Sequence, residues 1–505
     1  MTRSASAGLA SLTGQLFARI AGVFLIVNAT AELRPAKIFT DHMVLQQELP
    51  VAVFGQADPG KAVSVSFKGA EAKGKADAGG RWEARLPAME ADGEAHSLLI
   101  SDGDETVELK DVLLGEVWIC GGQSNMGRPV TGKQAETADH PQIRLFNISG
   151  GTPREHDIDD RFGWAVCSPE TIARAGDGIG EKRRGFTEVG YVFGRRLHEE
   201  MKVPVGLVQM NCGGSTAQDW TLQPELRATL TFDEPVERLT HQAGLLYEVR
   251  MRGIVPITTR GVVWYQGEDD GRNKDYGKDF ATLIRTWRQL LGRDDLPFYF
   301  AQIAQTTYAS GMLRVWEGQQ WVMENVPHTG MAASNDIYVG TGNGGFKERL
   351  DKKSGLPIAG GGNPHPTGKD KIAERLARIA LDRTYGREPG VIFGPLYESH
   401  EIQGDRIVVT FKHTGTGLAT NDGEPPNWFE LSDGTKDRNQ TVYLKADAEI
   451  TGSNQVTVRA EGIKEPKHVR FGWHPLTRFN LTNKEGIPAT SFRSDKDDRW
   501  KVAGQ

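Results

Sequence analysis

The 505-residue sequence has little of several features that define particular classes of protein. Its three cysteines, Cys120, Cys167 and Cys212, are too few for a disulfide-held fold and too scattered for a zinc site. It has no basic excess, since 60 Lys+Arg stand against 66 Asp+Glu, so nucleic acid is not an expected partner. Its 60 glycines follow no regular period, which excludes a collagen-like chain. The length instead favours about three globular domains, at ~150 residues per domain.

Long hydrophobic runs are also missing. The apolar run Ile20–Val27 is far shorter than the ~20 residues that a membrane span needs. Arg3 and Arg19 precede it and an Ala-x-Ala ending at Ala31 follows, which is the pattern of a secretory signal peptide. We therefore predict a signal peptide over residues 1–31 and an exported protein, periplasmic or extracellular, with no membrane anchor after cleavage. A buried N-terminal helix and a misplaced start are the alternative interpretations.

The pattern of predicted strands and helices in the remaining chain changes twice. Short strand-like segments separated by turn clusters predict an N-terminal β-sandwich over residues 32–114 and a C-terminal β-sandwich over residues 391–505. Between them, over residues 115–390, apolar strands alternate with helical patterns, which predicts an α/β domain with a parallel sheet. The clearest helical periodicities lie in Tyr276–Leu291 and Lys369–Leu381.

Polar residues follow the predicted strands of the α/β domain, where active residues collect in such sheets. Ser124 lies in Gly121–Met126, on a predicted strand-to-helix turn, and Gly213 and Gly214 follow the next strand. Gln266 follows a third strand, and His365 precedes the Lys369 helix. Each alone fits an ordinary turn, a helix cap or a surface histidine. Together, a serine, a donor glycine, a donor amide and a histidine are what serine-nucleophile acyl transfer requires.

The sequence motifs in these segments, and their order, resemble those of the sialate O-acetylesterase-like carbohydrate esterases of the SGNH hydrolase superfamily. The resemblance rests on four central blocks and three flanking ones: Gln123-Ser-Asn-Met126, Gly213-Gly-Ser215, Trp264-Tyr-Gln-Gly-Glu268, His365-Pro-Thr-Gly-Lys369, Met43-Val-Leu-Gln46, Val469-Arg-Phe-Gly-Trp473 and Gly486-Ile-Pro488. It covers essentially the whole mature chain. It implies a flavodoxin-like α/β domain and an enzyme that needs no metal or cofactor.

The same resemblance implies roles for individual residues. Ser124 would be the nucleophile and His365 its general base. The backbone amides of Ser124 and Gly213 and the side chain of Gln266 would form the oxyanion hole, with Gly214 as an alternative to Gly213.

One position departs from the family pattern, which has an aspartate two residues before the histidine. Here that residue is Asn363. Either Asn363 orients His365 without a negative charge, or Asp336, which ends an apparent strand, supplies a carboxylate. The stretch from Tyr338 to Gly362 looks inserted relative to the family.

Two weaker signals have simpler interpretations. Glu268–Asp270, followed by Asp275 and Asp279, fails the EF-hand spacing and is expected to be a solvated acidic loop. Cys120 and Cys212 are expected to pack as small apolar groups, with a disulfide between them as the alternative.

The sequence therefore predicts an exported carbohydrate O-acetylesterase acting on an acetylated carbohydrate. A catalytically weakened carbohydrate-binding protein and a carboxylesterase for another polysaccharide ester are the alternatives. The acetylated sugar and the oligomeric state are left open, because loops form the pocket walls and a fold does not specify a substrate.

Overall fold

The structure is a computed structural model that describes residues 32–148, 163–174, 185–222, 242–306, 311–337, 364–387, 390–438, 440–475 and 477–495. The predicted signal peptide, Asn363 and the Tyr338–Gly362 stretch lie outside these residues. Within them, none of the helices combines the length and apolar character needed to cross a bilayer.

The N-terminal part consists of two small antiparallel sheets over a shared core. One has the order β1-β3-β6 and the other β5-β4-β7-β8, with β2 added parallel to β8. Strict alternation builds this core, because Val63, Val65 and Phe67 of β4 point inward while its other residues are more exposed. The strands are β1 Arg34–Pro35, β2 Val44–Gln46, β3 Val51–Gln56, β4 Ala62–Phe67, β5 Ala70–Lys75, β6 Arg81–Leu86, β7 His96–Ser101 and β8 Thr106–Gly122.

Strand β8 joins the N-terminal part to the α/β domain. Its first residues pair with β7, and its last residues, Glu116–Gly122, pair with β11 in the central sheet. The predicted domain boundary between residues 114 and 115 therefore falls inside one continuous strand. One hydrophobic core also runs from the N-terminal sheets to one face of the central sheet.

The central sheet has the order β10-β9-β11-β8-β12-β13-β14, and only the β10–β9 pair is antiparallel. Without β9 and β10, the five remaining strands follow the order 2-1-3-4-5 along the chain, as in flavodoxin-like sheets. Ligands bind such sheets at the carboxyl ends of the strands beside the switch in strand order, here β8 and β12. The strands are β9 His140–Asn147, β10 Ala165–Cys167, β11 Val205–Asn211, β12 Gly261–Tyr265, β13 Phe298–Ala301 and β14 Thr329–Ala332.

Helices cover both faces of this sheet. Helices α3 and α7 pack on one face and α5 and α6 on the other, each through its apolar stripe. The two helices predicted from periodicity are confirmed as α5 and α7, which begin at Tyr276 and Lys369. The helices are α1 Gly132–Glu136, α2 Pro169–Arg174, α3 Glu188–Met201, α4 Leu245–Val249, α5 Tyr276–Leu290, α6 Met312–Asn325 and α7 Lys369–Arg383.

The C-terminal part differs from the predicted two-layer sandwich. Seven strands form one sheet of order β15-β16-β22-β21-β18-β23-β25. This sheet curls on itself, so that its two edge strands, β15 and β25, come together. The contact that shows this is the stacking of Tyr397 of β15 on Phe492 of β25, with ring centroids 4.4 Å apart. Alternating sequence patterns bury one face of a strand in sandwiches and barrels alike, so they do not distinguish the two. The strands are β15 Leu396–Gln403, β16 Arg406–Lys412, β17 Leu418–Thr420, β18 Phe429–Ser432, β19 Lys436–Asp437, β20 Gln440–Thr441, β21 Leu444–Ile450, β22 Gln455–Arg459, β23 His468–Phe471, β24 Leu481–Asn483 and β25 Phe492–Arg493.

Candidate active site

Ser124 lies on a tight turn at the carboxyl end of β8, which we call the serine turn, Gly121–Gly127. The turn is tied to both neighbouring strands: the Gln123 N–H donates to the Tyr265 carbonyl at 3.0 Å, and the Gly122 carbonyl accepts from Cys212 N–H at 3.0 Å. Gly122 has φ +138°, and a Cβ there would overlap the Tyr265 carbonyl oxygen. No helix begins at Ser124, so the predicted strand-to-helix turn is a strand-to-loop turn and the helix-cap interpretation is wrong.

The structure brings His365 to Ser124. His365 Nε2 lies 2.8 Å from Ser124 Oγ, although the two residues are 241 positions apart in the chain. Both side chains belong to partly exposed residues, as access by a substrate requires. A neutral imidazole with its proton on Nδ1 accepts the serine hydroxyl proton in this geometry, which is the arrangement of a nucleophile and its base.

Two buried side chains hold the loop on each side of His365. Asn125 Nδ2 donates to the Pro364 carbonyl at 2.9 Å, and Lys369 Nζ donates to the Pro366 carbonyl at 2.7 Å. Asn125 and Lys369 are 0% and 3% exposed. Because both donors are enclosed, the imidazole is positioned by groups whose own orientation is restricted.

Asn125 also connects the serine turn to the segment after β12, which we call the acidic turn, Gln266–Asp270. Asn125 Nδ2 donates to Glu268 Oε1 at 2.5 Å, and Gln123 Nε2 donates to Asp269 Oδ2 at 3.0 Å. The residues on both sides of Ser124 are thus anchored to this second turn.

The expectation of a solvated acidic loop is wrong for two of its five carboxylates, Glu268 and Asp270. Glu268 and Asp270 are 0% and 2% exposed. Burial disfavours their charged forms and raises the pKa of Glu268 to about 7 and that of Asp270 to about 6, although hydrogen bonds from Asn125 and Gln266 oppose the shift. Burial likewise lowers the pKa of Lys369 to about 8.

Gly213 and Gly214 lie on the turn after β11, on the other side of the serine turn. Ser215 stabilises this turn, since its hydroxyl donates to the Cys212 carbonyl at 2.8 Å and accepts from Trp220 Nε1 at 3.0 Å. Among the residues that the structure describes, the N–H groups of Ser124, Gly213 and Gly214 donate to no protein acceptor. These three residues are partly exposed, so their amides can donate to a ligand oxygen.

Gln266 does not match its predicted role as an oxyanion donor. The side chain is fully buried, and its Nε2 donates to the Ser215 carbonyl at 3.0 Å and to Asp270 Oδ2 at 2.5 Å. Both amide hydrogens are therefore used within the protein. Asp270 Oδ2 also accepts from Ala217 N–H at 2.9 Å, so Gln266 and Asp270 together fix the turn that carries Gly213.

Asp336, the alternative acid, is engaged elsewhere. Its two oxygens accept from Arg375 of α7 at 2.7 and 2.8 Å, and Lys371 Nζ lies 3.7 Å away. Burial opposes ionisation of Asp336, but the hydrogen bonds and charge of Arg375 outweigh it and lower its pKa. The geometry favours a structural pairing between β14 and α7. Asn363, the other candidate, lies outside the described residues.

Metal-binding and thiol chemistry have little support at this site. Among the described residues, the potential ligand cluster is Asp92, Glu94 and His96, which is largely exposed and lies where the chain enters β7 of the N-terminal part. Its Asp92 already pairs with Lys68 and His96. The three cysteines are buried and form no disulfide with one another, so Cys120 and Cys212 pack as small side chains and the disulfide alternative is wrong.

Sequence reasoning missed Asn125, Glu268 and Lys369 as site residues. All three lie inside blocks that the sequence singled out, beside or a few positions from Ser124, Gln266 and His365. The sequence did contain a signal for them, since a polar side chain lies within a few positions of each of these three candidate residues.

A family of known proteins matches most of the central domain. Residues 114–353 match the family of carbohydrate esterases described as sialic acid-specific acetylesterases. The resemblance to sialate O-acetylesterase-like carbohydrate esterases, predicted from the sequence blocks, is thereby confirmed. The match includes Ser124, Gly213 and Gln266 and ends before His365.

Relatives of the family extend the similarity beyond that domain. The human sialate O-acetylesterase is 25% identical over 423 residues, covering 74% of this chain and 75% of the human protein. The mouse sialate O-acetylesterase is 26% identical over 466 residues, covering 77% of this chain and 81% of the mouse protein. A crystal structure of a carbohydrate acetylesterase from Xanthomonas citri superposes with a TM-score of 0.76 and 29% identity, covering 92% of this chain and all of that one.

Proposed function

We propose that this protein is an exported carbohydrate O-acetylesterase with an SGNH-type catalytic domain, in which Ser124 is the nucleophile and His365 its general base. The contact between Ser124 Oγ and His365 Nε2 carries the proposal, because it pairs a partly exposed hydroxyl with a proton acceptor. The flavodoxin-like strand order supports it, since both residues lie at the carboxyl edge of the sheet.

The proposed reaction has two steps. Ser124 Oγ attacks the acetyl carbonyl carbon while its proton passes to His365 Nε2, and the amides of Ser124 and Gly213, or Gly214, stabilise the oxyanion. The bond from the acetyl carbon to the sugar oxygen then breaks, and His365 delivers the proton to that oxygen. In the second step water attacks the acetyl-serine with His365 as base, which releases acetate and restores Ser124.

A carbohydrate-binding protein with weak catalysis is the second candidate. It is favoured by Asn363, which stands where the family has an aspartate, because an asparagine brings no negative charge to stabilise the imidazolium.

Acetate release separates the two candidates. Wild-type protein and Ser124→Ala are assayed with p-nitrophenyl acetate and with O-acetylated sialic acid, xylan and xyloglucan. Ser64→Ala, on the exposed face of β4, is the matched control. We expect wild type and the control to release acetate and Ser124→Ala to be inactive with an unchanged thermal unfolding midpoint. Glycan binding without acetate release by the wild type would establish the binding protein instead.

Export is tested separately. The full-length chain is expressed in a bacterial host and the cell is fractionated. The proposal requires the exported form to begin near Glu32, as read by N-terminal sequencing. A form that keeps residues 1–31 and stays with the cytoplasmic fraction would contradict it.

A further inference from the structure

The two flanking parts of the chain are joined to the central domain in different ways. The N-terminal sheets share one hydrophobic core with a face of the central sheet. The C-terminal part has a core of its own, whose buried members all come from residues 407–492. Among its described residues, those that join a core of the central domain are Phe393 and its neighbour Ile392. Apolar burial therefore links these two parts at the point where the chain enters the C-terminal part.

Polar contacts hold the rest of the C-terminal part against α6, along a boundary that we call the seam, from Glu317 to Glu324 of that helix. These two glutamates are seven residues apart, which places them on one face of α6. Arg493 donates to Glu317 at 2.7 and 3.2 Å, and Lys412 donates to Glu324 at 2.8 Å. Such contacts replace hydrogen bonds to water, so they hold two parts together less firmly than a shared apolar core.

The seam also encloses polar atoms that lack protein partners. Gln305 and Asn335 of the central domain donate to C-terminal acceptors at 2.8 and 2.9 Å, and Gln320 of α6 donates to the Ser491 carbonyl at 2.7 Å. Gln305 Oε1, Asn335 Oδ1 and Ser491 Oγ have no partner among the described residues, although these three residues are at most 3% exposed. Enclosing such atoms costs free energy, which hydration would recover if the two parts separated.

A cavity of about 480 Å³ lies in the seam, next to the acidic turn. The central domain contributes Gly271, which directly follows the acidic turn, together with Arg272 and Arg314 at the start of α6. The C-terminal part contributes Trp473 and Arg493 to the opposite wall. The walls of the cavity therefore belong to two parts of the chain with separate cores.

The apolar link and the cavity lie at opposite ends of α6. The Phe393 ring packs against His413 with centroids 5.2 Å apart, and His413 adjoins Lys412, the partner of Glu324. Arg314, which lines the cavity, precedes Glu324 by ten residues, or about 15 Å along the helix. A rotation about the Phe393 end would therefore open the seam at the cavity end.

We propose that the C-terminal part is a hinged unit, which pivots near Phe393 and opens the cavity beside the acidic turn when the ion pair between Arg493 and Glu317 breaks. This ion pair is the latch, because it lies at the cavity end and its side chains are only 17% and 6% exposed. In the open form Trp473 leaves the cavity, which widens access along the acidic turn. The hinge is independent of the proposed esterase function, since none of the candidate catalytic residues lies in the C-terminal part.

A distance measurement tests the hinge. Spin labels are attached to Lys274→Cys, after the acidic turn, and to Glu424→Cys in the C-terminal part; both positions are exposed and the three native cysteines are buried. Pulsed electron spin resonance should give two distances between the labels. The longer one should gain weight as salt rises from about 0.02 to 1 M, because salt screens ion pairs. A single distance at every salt concentration would overturn the proposal.

Glu317→Gln in the same labelled protein tests the latch. The ratio of the longer to the shorter distance should rise about tenfold, because a hydrogen bond between charged groups is replaced by a weaker one. Glu430→Gln is the matched control, since it breaks an equally bidentate pair with Arg470, at 2.6 and 2.9 Å, within the C-terminal sheet. An unchanged ratio in folded Glu317→Gln, or an equal rise in the control, would contradict the latch. If Glu317→Gln fails to fold, the salt titration of the parent protein decides alone.

Discussion

The serine turn and the acidic turn leave neighbouring strands of one sheet, yet they present their polar groups in opposite ways. Ser124 in the serine turn is partly exposed, and its backbone N–H donates no hydrogen bond to any described protein group. The acidic turn encloses Gln266, Glu268 and Asp270 and directs their hydrogen bonds to other protein groups. The serine turn can therefore contact a substrate. The buried residues of the acidic turn cannot, and they act by holding the neighbouring loops in place.

This difference divides the sequence blocks by role. Ser124 and His365 meet at the open side of the site, while Asn125 and Lys369 fix the loop that carries His365. Substitutions in the two turns should therefore differ in size and in the kinetic constant that they change.

After the inactivation expected for Ser124→Ala, the largest expected effect is that of His365→Ala. Without the base, kcat should fall by at least ~10³-fold, and adding Ser124→Ala should cost little more because the two residues act as a unit. Steady-state kinetics of p-nitrophenyl acetate hydrolysis on the single and double variants measure this. Additive losses would show that the two residues act independently.

Asn125→Ala should have the next largest effect. Its loss frees the Pro364 carbonyl and leaves Glu268 without its donor, so His365 should shift and kcat should fall about 10–100-fold with KM unchanged. Asn325→Ala, on the exposed end of α6, is the matched control. A kcat equal to that of the control, in folded protein, would remove Asn125 from the positioning role.

Gln266→Ala sharpens the comparison between the two turns. The hydrogen bonds of Gln266 indicate that it only holds the turn after β11, which carries Gly213, Gly214 and Ser215. In that case its loss should displace the Gly213 and Gly214 amides, and kcat should fall about tenfold. An oxyanion donor would instead cost roughly 10²–10³-fold in kcat. The measured kcat decides between them, and a loss near 10³-fold would restore the role implied by the family resemblance.

Asp336→Asn and Asn363→Asp form a pair with smaller effects on activity. Because Asp336 pairs with Arg375, its substitution should lower kcat less than tenfold while reducing the free energy of unfolding by about 2 kcal/mol. Asn363→Asp should retain or raise kcat, since it restores the family residue. Kinetics and urea denaturation of both variants test this. A thousandfold loss in Asp336→Asn with no change in Asn363→Asp would make Asp336 the acid.

Glu268→Gln should change activity least and the pH dependence of stability most. The pKa of Glu268 is raised to about 7 in the folded protein by burial, so the folded state holds its proton more tightly than the unfolded state. The wild type should therefore lose stability as pH rises from about 4.5 to 7, by about 1–3 kcal/mol relative to Glu268→Gln. Urea denaturation of both proteins at pH 5 and pH 7.5 measures the difference, and parallel pH curves would exclude Glu268 as its cause.

Local sequence patterns were sufficient for much of the fold. The apolar stripes of α5 and α7 and the alternation in β4 are determined by residues close together in the chain, because each element buries one face. The turns that follow β8, β11 and β12 were equally visible, since glycines and polar residues interrupt apolar strands there. The family resemblance implied that Ser124 and His365 are partners, and the structure places them in contact.

Contacts between distant residues determined the rest. The burial of Glu268, the acceptors of Gln266 and the pairing of Asp336 with Arg375 depend on segments that meet only in the folded chain. The curl of the C-terminal sheet and the continuous strand β8 depend in the same way on which strands pair. The sequence does not distinguish a solvated acidic residue from a buried one, because side chains from other elements form its environment. Only the tertiary structure decides that environment.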